Sequence, residues 1–269
     1  MDGVFVASQQ MSAALISILL LTAIATVVFA ALLCPIAHKL NLTDKPAGRK
    51  QHVGDIPLVG GFAIFLSVVV VAYFFLPTRY VINTGFAAAI LILITGALDD
   101  RFSLRARTRF AAQAFASVLV IFGSDILVAS LGNSFDAVHP TTLGLLAVPF
   151  TIVSIIGVTN AFNMSDGVDG LCSGLAGISM VWLCIAIVVI YPTDISLLKA
   201  PSVIISVTTI GATLGVMVLN SRYFGLKKAI IFLGDGGSTL LGFLVACLAI
   251  YATQHSADGA LYPISAVLI

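Results

Sequence analysis

The chain reads as long apolar runs broken by short polar stretches. An apolar segment of about 20 residues is long enough for a helix to cross the hydrocarbon core of a bilayer. Such segments predict spans near residues 11–34, 58–76, 83–98, 106–124, 143–162, 171–191, 201–219 and 231–251, with a ninth beginning near Ala260. The fourth is the weakest. Its apolar core, Phe110 to Phe122, is short, so Arg107 and Arg109 are expected to serve as snorkelling ends. The stretch from Gly123 to Thr142 receives no element.

Composition agrees with this pattern. Of 269 residues, 59% are hydrophobic and 9% charged, against about 25% charged in an ordinary soluble domain. The mean hydropathy is +1.12. A soluble interior at this length cannot hide so much apolar surface, so lipid must cover much of it. The expected class is all-α, a polytopic transmembrane helical bundle of about eight complete spans plus the start of a ninth, making one domain over residues 1–269. The first ten residues carry no Lys or Arg, and the run that follows is too long for a signal peptide, so it is read as the first span. Cys34, Cys172, Cys184 and Cys247 show no CxxC spacing and predict neither disulfide nor zinc.

Lys and Arg orient the bundle. With the N-terminus outside, the inner loops hold Lys39, Lys45, Arg49, Lys50, Arg101, Arg105, Arg107, Arg109, Arg222, Lys227 and Lys228, and the outer loops only Arg79 and Lys199. Eleven against two is the asymmetry of a positive-inside protein. If the fourth segment did not span, the split would fall to nine against four.

Four polar segments then fall on the inner side: Asp44 to Gly61, Leu98 to Arg101, Asn160 to Gly170, and Phe232 to Ser238. The twelve acidic residues are all Asp, and several cluster in these segments. Asp99 and Asp100 point about 100° apart on a helix, so one can face a metal while the other faces a reacting group. Asp166 and Asp169 share a helical face. Asp235 sits among glycines at a helix start, where free N–H groups and the helix dipole favour phosphate. Carboxylates at a membrane edge are costly unless paired or bound to a cation, and an oxygen-only donor set suits Mg²⁺. An ion-coupled transporter would hold its carboxylates near the bilayer midplane instead.

These residues resemble, in order along nearly the whole chain, the polyprenyl-phosphate N-acetylhexosamine-1-phosphate transferases. The match runs through Asp44, Pro46, Arg49, Lys50, His52, Pro57, Gly60 and Gly61 of the first inner loop, the Asp99-Asp100 pair, Asn163, Asp166 and Asp169 of an NxxDGxDG stretch, and Asp235 of FLGDGGS. The resemblance implies a bacterial inner-membrane enzyme with its site on the cytoplasmic face. It implies transfer of N-acetylglucosamine-1-phosphate from UDP-N-acetylglucosamine to undecaprenyl phosphate, with release of UMP, at the first membrane step of a cell-envelope polysaccharide. The alternatives are the phospho-N-acetylmuramoyl-pentapeptide transferase of peptidoglycan synthesis and a non-catalytic membrane scaffold. Asp99 and Asp100 are the expected catalytic pair, Asp235 and Asp100 the expected ligands of Mg²⁺ (Mn²⁺ as a substitute). Arg49, Lys50 and His52 are expected to meet phosphate. Asn163 and Asp166 are expected to floor the site, and Asp169, Asn220 and Phe232 to line a uridine pocket. Partners are the two substrates and the bilayer, with homodimers known in the family and no nucleic acid. The family's further His-rich inner loop has no counterpart up to Ile269, so the chain is expected to lack it.

Overall fold

The computed structural model describes residues 2–44, 54–76, 84–132, 141–190, 201–220 and 228–254. Their helices are α1 (Asp2–Leu40), α2 (Gly60–Phe75), α3 (Thr84–Phe102), α4 (Ala106–Gly123), α5 (Ala147–Ser165), α6 (Leu171–Ile190), α7 (Pro201–Asn220) and α8 (Gly234–Gln254). A 3-10 turn at Gly144–Leu146 leads into α5, and β1 (Thr43–Asp44) pairs antiparallel with β2 (Ile56–Pro57). Every one of the eight apolar segments is a helix, and the weak fourth is α4. The ninth segment lies outside the described residues.

The largest difference from expectation is α1, which runs through Pro35 to Leu40. Proline removes one helical N–H bond but does not stop this helix. Asn41 stops it, taking a left-handed φ of 51° with its N–H on the His38 carbonyl.

Among the described residues four helical segments, Ser12–Leu40, Gly144–Ser165, Pro201–Asn220 and Gly234–Gln254, are long and apolar enough to cross a membrane. The protein is an all-α membrane protein, and its surface has the matching polarity. On α1, Ile16, Leu20, Ile24, Val28, Leu32, Ile36 and Leu40 are exposed at four-residue spacing, whereas Thr22, Thr26 and Ala30 on the other face are buried. A water-soluble helix does the reverse. The buried face of α1 packs on α7, whose Gly211 and Gly215 let the backbones touch. A Cβ there would lie 2.3 Å from the Leu19 carbonyl oxygen and 2.6 Å from that of Ala23. The Thr26 and Ser67 hydroxyls hydrogen-bond at 2.7 Å between α1 and α2.

Helix α8 is the axis of the bundle, packed by α2, α3, α5 and α6. At its N-terminal end, residues 57–61 zip onto 232–233. The Phe232 N–H donates to Pro57, and the N–H groups of Gly60 and Gly61 donate to Phe232 and Leu233. At its other end the Gln254 amide clamps the loop after α4. Its Oε1 accepts from the N–H groups of Ala129 and Ser130, and its Nε2 donates to the Ser130 carbonyl. Part of the unassigned stretch is thereby ordered as a bridge between Ser130 and Thr142. Its Asp136 and His139 lie outside the described residues.

Candidate active site

The N-terminal end of α8 collects the polar residues. Asp235 in its first turn accepts at Oδ1 from Asn163 Nδ2 of α5, at 2.9 Å. The same Asn163 nitrogen donates to Ser238 Oγ at 2.9 Å, which fixes the amide and with it the carboxylate. Asp99, at the end of α3, is 7% exposed and accepts at both oxygens, from the Leu104 N–H and from Arg109, each at 2.7 Å. Asp99, Arg109, Asn163 and Asp235 line one small pocket. Bringing them together requires α3 to lie against α8, and Gly96 and Gly236 make that contact backbone to backbone.

Asp100 faces elsewhere. Its carboxylate accepts from the Asp235 N–H at 3.0 Å and the Gly236 N–H at 3.4 Å, so it caps α8 from another helix. This corrects the expectation that these N–H groups are open to a phosphate. A helix start leaves its first N–H groups without partners, and here a carboxylate of the same chain already takes two of them. Gly234 enters α8 at a φ of 75°, and a Cβ on it would lie 2.8 Å from Asp100 Oδ2. The glycine is needed for that cap.

Asp166 and Asp169, expected to share a helical face, instead follow α5 in the turn before α6, where desolvation first, and then the charges of Asp235 and Asp169, push the Asp166 carboxyl up to about 7. Asn220, expected to line a pocket, is 6% exposed and braces two segments. Its Oδ1 accepts from the Gly170 N–H at 2.7 Å and its Nδ2 donates to the Ile231 carbonyl at 2.9 Å. Asn220→Leu strands both backbone groups. It is expected to lower stability by about 1–3 kcal/mol, read as a fall in melting temperature, and an unchanged value would remove the bracing role. Phe232 is partly buried and contributes backbone hydrogen bonds to the zipper with residues 57–60. Arg49, Lys50 and His52 lie outside the described residues.

Among the described residues no three Asp, Glu, His or Cys side chains converge as a ready metal cage. Asp100, expected to hold Mg²⁺ with Asp235, lies on the first N–H groups of α8 and not in the pocket lining, where Asp99 and Asp235 supply the carboxylate oxygens. Two carboxylates of this kind fit Mg²⁺, which normally completes its shell with water and substrate phosphate.

The sequence pattern of a family described as "Glycosyl transferase family 4" matches residues 82–253, more than half of the chain, and takes in Asp99, Asp100, Asn163, Asp166, Asp169 and Asp235. The chain belongs to glycosyl transferase family 4. It is 33% identical over 235 residues to the undecaprenyl-phosphate alpha-N-acetylglucosaminyl 1-phosphate transferase of Escherichia coli (strain K12), covering 86% of this chain and 60% of that protein. The protein of that name from Yersinia pestis is 33% identical over 237 residues, 87% of this chain and 61% of its own length. That of Salmonella typhi is 33% identical over 260 residues, 95% and 66%. The chain thus spans roughly three-fifths to two-thirds of the length of these relatives.

Two polar pocket residues on α4 of this family 4 chain had no site role in the sequence reading. Arg109, expected as a snorkelling end, is the ion-pair partner of Asp99. Gln113 also lines the pocket, as does Asn160, the first residue of the third polar segment. A signal was present. Arg109, Gln113 and Ser117 recur every four residues along α4, a polar stripe on a helix that is otherwise apolar after its first turn.

Proposed function

We propose that the chain transfers N-acetylglucosamine-1-phosphate from UDP-N-acetylglucosamine to undecaprenyl phosphate and releases UMP. The observation that carries this reading is the pocket in which Asp99, held by Arg109, meets Asp235, held by Asn163. The names of its relatives support the two substrates.

An oxygen of the lipid phosphate attacks the sugar-bearing phosphorus of the donor. The bond from that phosphorus to the bridging oxygen breaks, and its electron pair leaves with UMP. The attacking oxygen is already anionic near neutral pH, so positioning and charge stabilisation dominate over base catalysis. Asp99 orients the lipid phosphate or takes its residual proton, and the Arg109 ion pair holds Asp99 in place. Asp235, with Asp99 across the pocket, would hold Mg²⁺, whose chemistry there is to offset the charge of the diphosphate. Asp100 contributes by fixing the first turn of α8, which aims Asp235. The excess of Lys and Arg in the inner loops supports eight crossings with the N-terminus outside and the pocket on the cytoplasmic face of a bacterial inner membrane.

The test is UMP release by the purified chain in nanodiscs with Mg²⁺, undecaprenyl phosphate and UDP-N-acetylglucosamine. UMP that depends on both lipid and metal is expected. UMP formed only with UDP-N-acetylmuramoyl-pentapeptide reassigns the donor. No lipid-dependent UMP with either donor, from folded protein, overturns the reading.

A further inference from the structure

The pocket has two layers. At its mouth stand the charged and amide groups of Asp99, Arg109, Asn163 and Asp235. One helical turn deeper the same four helices present Thr95, Gln113, Asn160 and Thr239, all neutral. The space is about 10 Å³, room for roughly one oxygen-sized group.

The hydrogen bonds of the inner layer fix which atoms are free. Asn160 Nδ2 lies 2.7 Å from the Ile156 carbonyl, which can only accept, so the amide must present its nitrogen there. That nitrogen gives its second hydrogen to Gln113 Oε1, also at 2.7 Å. Gln113 therefore turns its oxygen to Asn160 and keeps Nε2 free. Gln113 is 4% exposed, and Nε2 has no partner among the described residues. The two threonines offer no competing donor, since Thr95 gives its hydroxyl proton to the Leu91 carbonyl and Thr239 gives its own to the backbone carbonyl of Asp235. With no partner of its own, this N–H opens onto the pocket that Asp99 and Asp235 also line.

We propose that Gln113 is a substrate-binding residue whose Nε2–H donates to a phosphoryl oxygen seated at the base of the pocket. This rests on the transferase reading, in which a phosphoryl group must approach Asp99 and Asp235. Those carboxylates repel such a group, and a neutral donor in the same pocket offsets part of the repulsion. The oxygen belongs either to the lipid phosphate or to the diphosphate of the nucleotide sugar.

Two variants test it. Gln113→Glu keeps the oxygen that Asn160 needs and replaces the free N–H by an acceptor. Gln113→Met keeps the length and removes the donor. Both are expected to raise the KM of one substrate about tenfold or more, with a smaller change in kcat and in melting temperature. A rise for undecaprenyl phosphate places its oxygen there, and a rise for UDP-N-acetylglucosamine places the diphosphate. Unchanged KM for both substrates, or loss of kcat and thermal stability with KM intact, overturns the proposal and leaves Gln113 as a brace for Asn160. If the wild-type chain does not turn over, the transferase reading fails on its own. Equilibrium binding of radiolabelled UDP-N-acetylglucosamine and of undecaprenyl phosphate then makes the same comparison. A tenfold weaker affinity in Gln113→Met supports the contact, and equal affinity, or no binding of either by wild type, removes it.

Discussion

Asp235→Asn is expected to lower lipid-dependent UMP release by roughly a hundredfold or more, the scale on which a preorganised charge-stabilising group acts, while the protein melts almost where wild type does. The reason lies in how the carboxylate is held. Oδ1 faces Asn163 Nδ2, a donor with two hydrogens already committed to Asp235 and Ser238. The asparagine that replaces Asp235 must therefore keep its oxygen toward Asn163 and turn its NH₂ to the pocket. Shape and the α5–α8 contact survive. What changes is the pocket-facing atom, from an anionic acceptor to a neutral donor, where a cation is to be held beside Asp99. Turnover and melting temperature measured on the same preparation separate the outcomes. Turnover near that of wild type would remove Asp235 from the metal site. A collapse of stability would show that the carboxylate serves the fold first.

Gly96→Val is expected to be the most damaging single change outside the carboxylates. A Cβ at Gly96 would lie 2.4 Å from the Cα of Gly236 and 2.5 Å from its nitrogen. Both are backbone atoms, so no side chain can swing away to relieve the clash. Gly61 is in the same position on the other flank, with its Cβ 2.4 Å from the Cα of Gly237. The first turn of α8 is therefore gripped between α2 and α3, and any wedge moves Asp235 away from Asp99. Overpacking costs about 1–3 kcal/mol when side chains can give, and a backbone contact belongs at or above the top of that range. A lower melting temperature together with lost turnover is expected. Gly157→Ala is the matched control. It is on the exposed side of α5, its Cβ would meet nothing within 4 Å, and helix propensity favours alanine by up to about 1 kcal/mol. If Gly96→Val melts and turns over like Gly157→Ala, the gripped-helix account is wrong.

The helices were legible because lipid imposes a one-dimensional rule. A spanning helix must satisfy its own backbone and expose apolar side chains, so segment length and hydropathy mark α1 to α8 without reference to neighbours. Even α4, short of apolar residues, is a helix over Ala106–Gly123. The carboxylates stood out for a related reason, since charge at a membrane edge is too costly to be idle. Asp99, Asn163 and Asp235 do share a pocket.

Less was readable where a residue's task depends on what lies opposite it. Adjacent Asp99 and Asp100 are chemically the same in the sequence, yet one faces the pocket and Arg109 while the other caps α8. Asn220, 50 residues from Gly170, braces that turn against the entry to α8. Arg109 counted as a topology charge and a snorkelling end until α4 lay beside α3 and paired it with Asp99.

By itself the sequence determined an all-α membrane protein, its helical segments, and the set of aspartates worth watching, because hydropathy and charge act locally along the chain. Tertiary structure alone decided which carboxylate faces the pocket, which closes a helix, and which amide keeps a free N–H. Those roles follow from helix rotation and glycine-mediated close approach, and both are set by contacts between segments far apart in the chain.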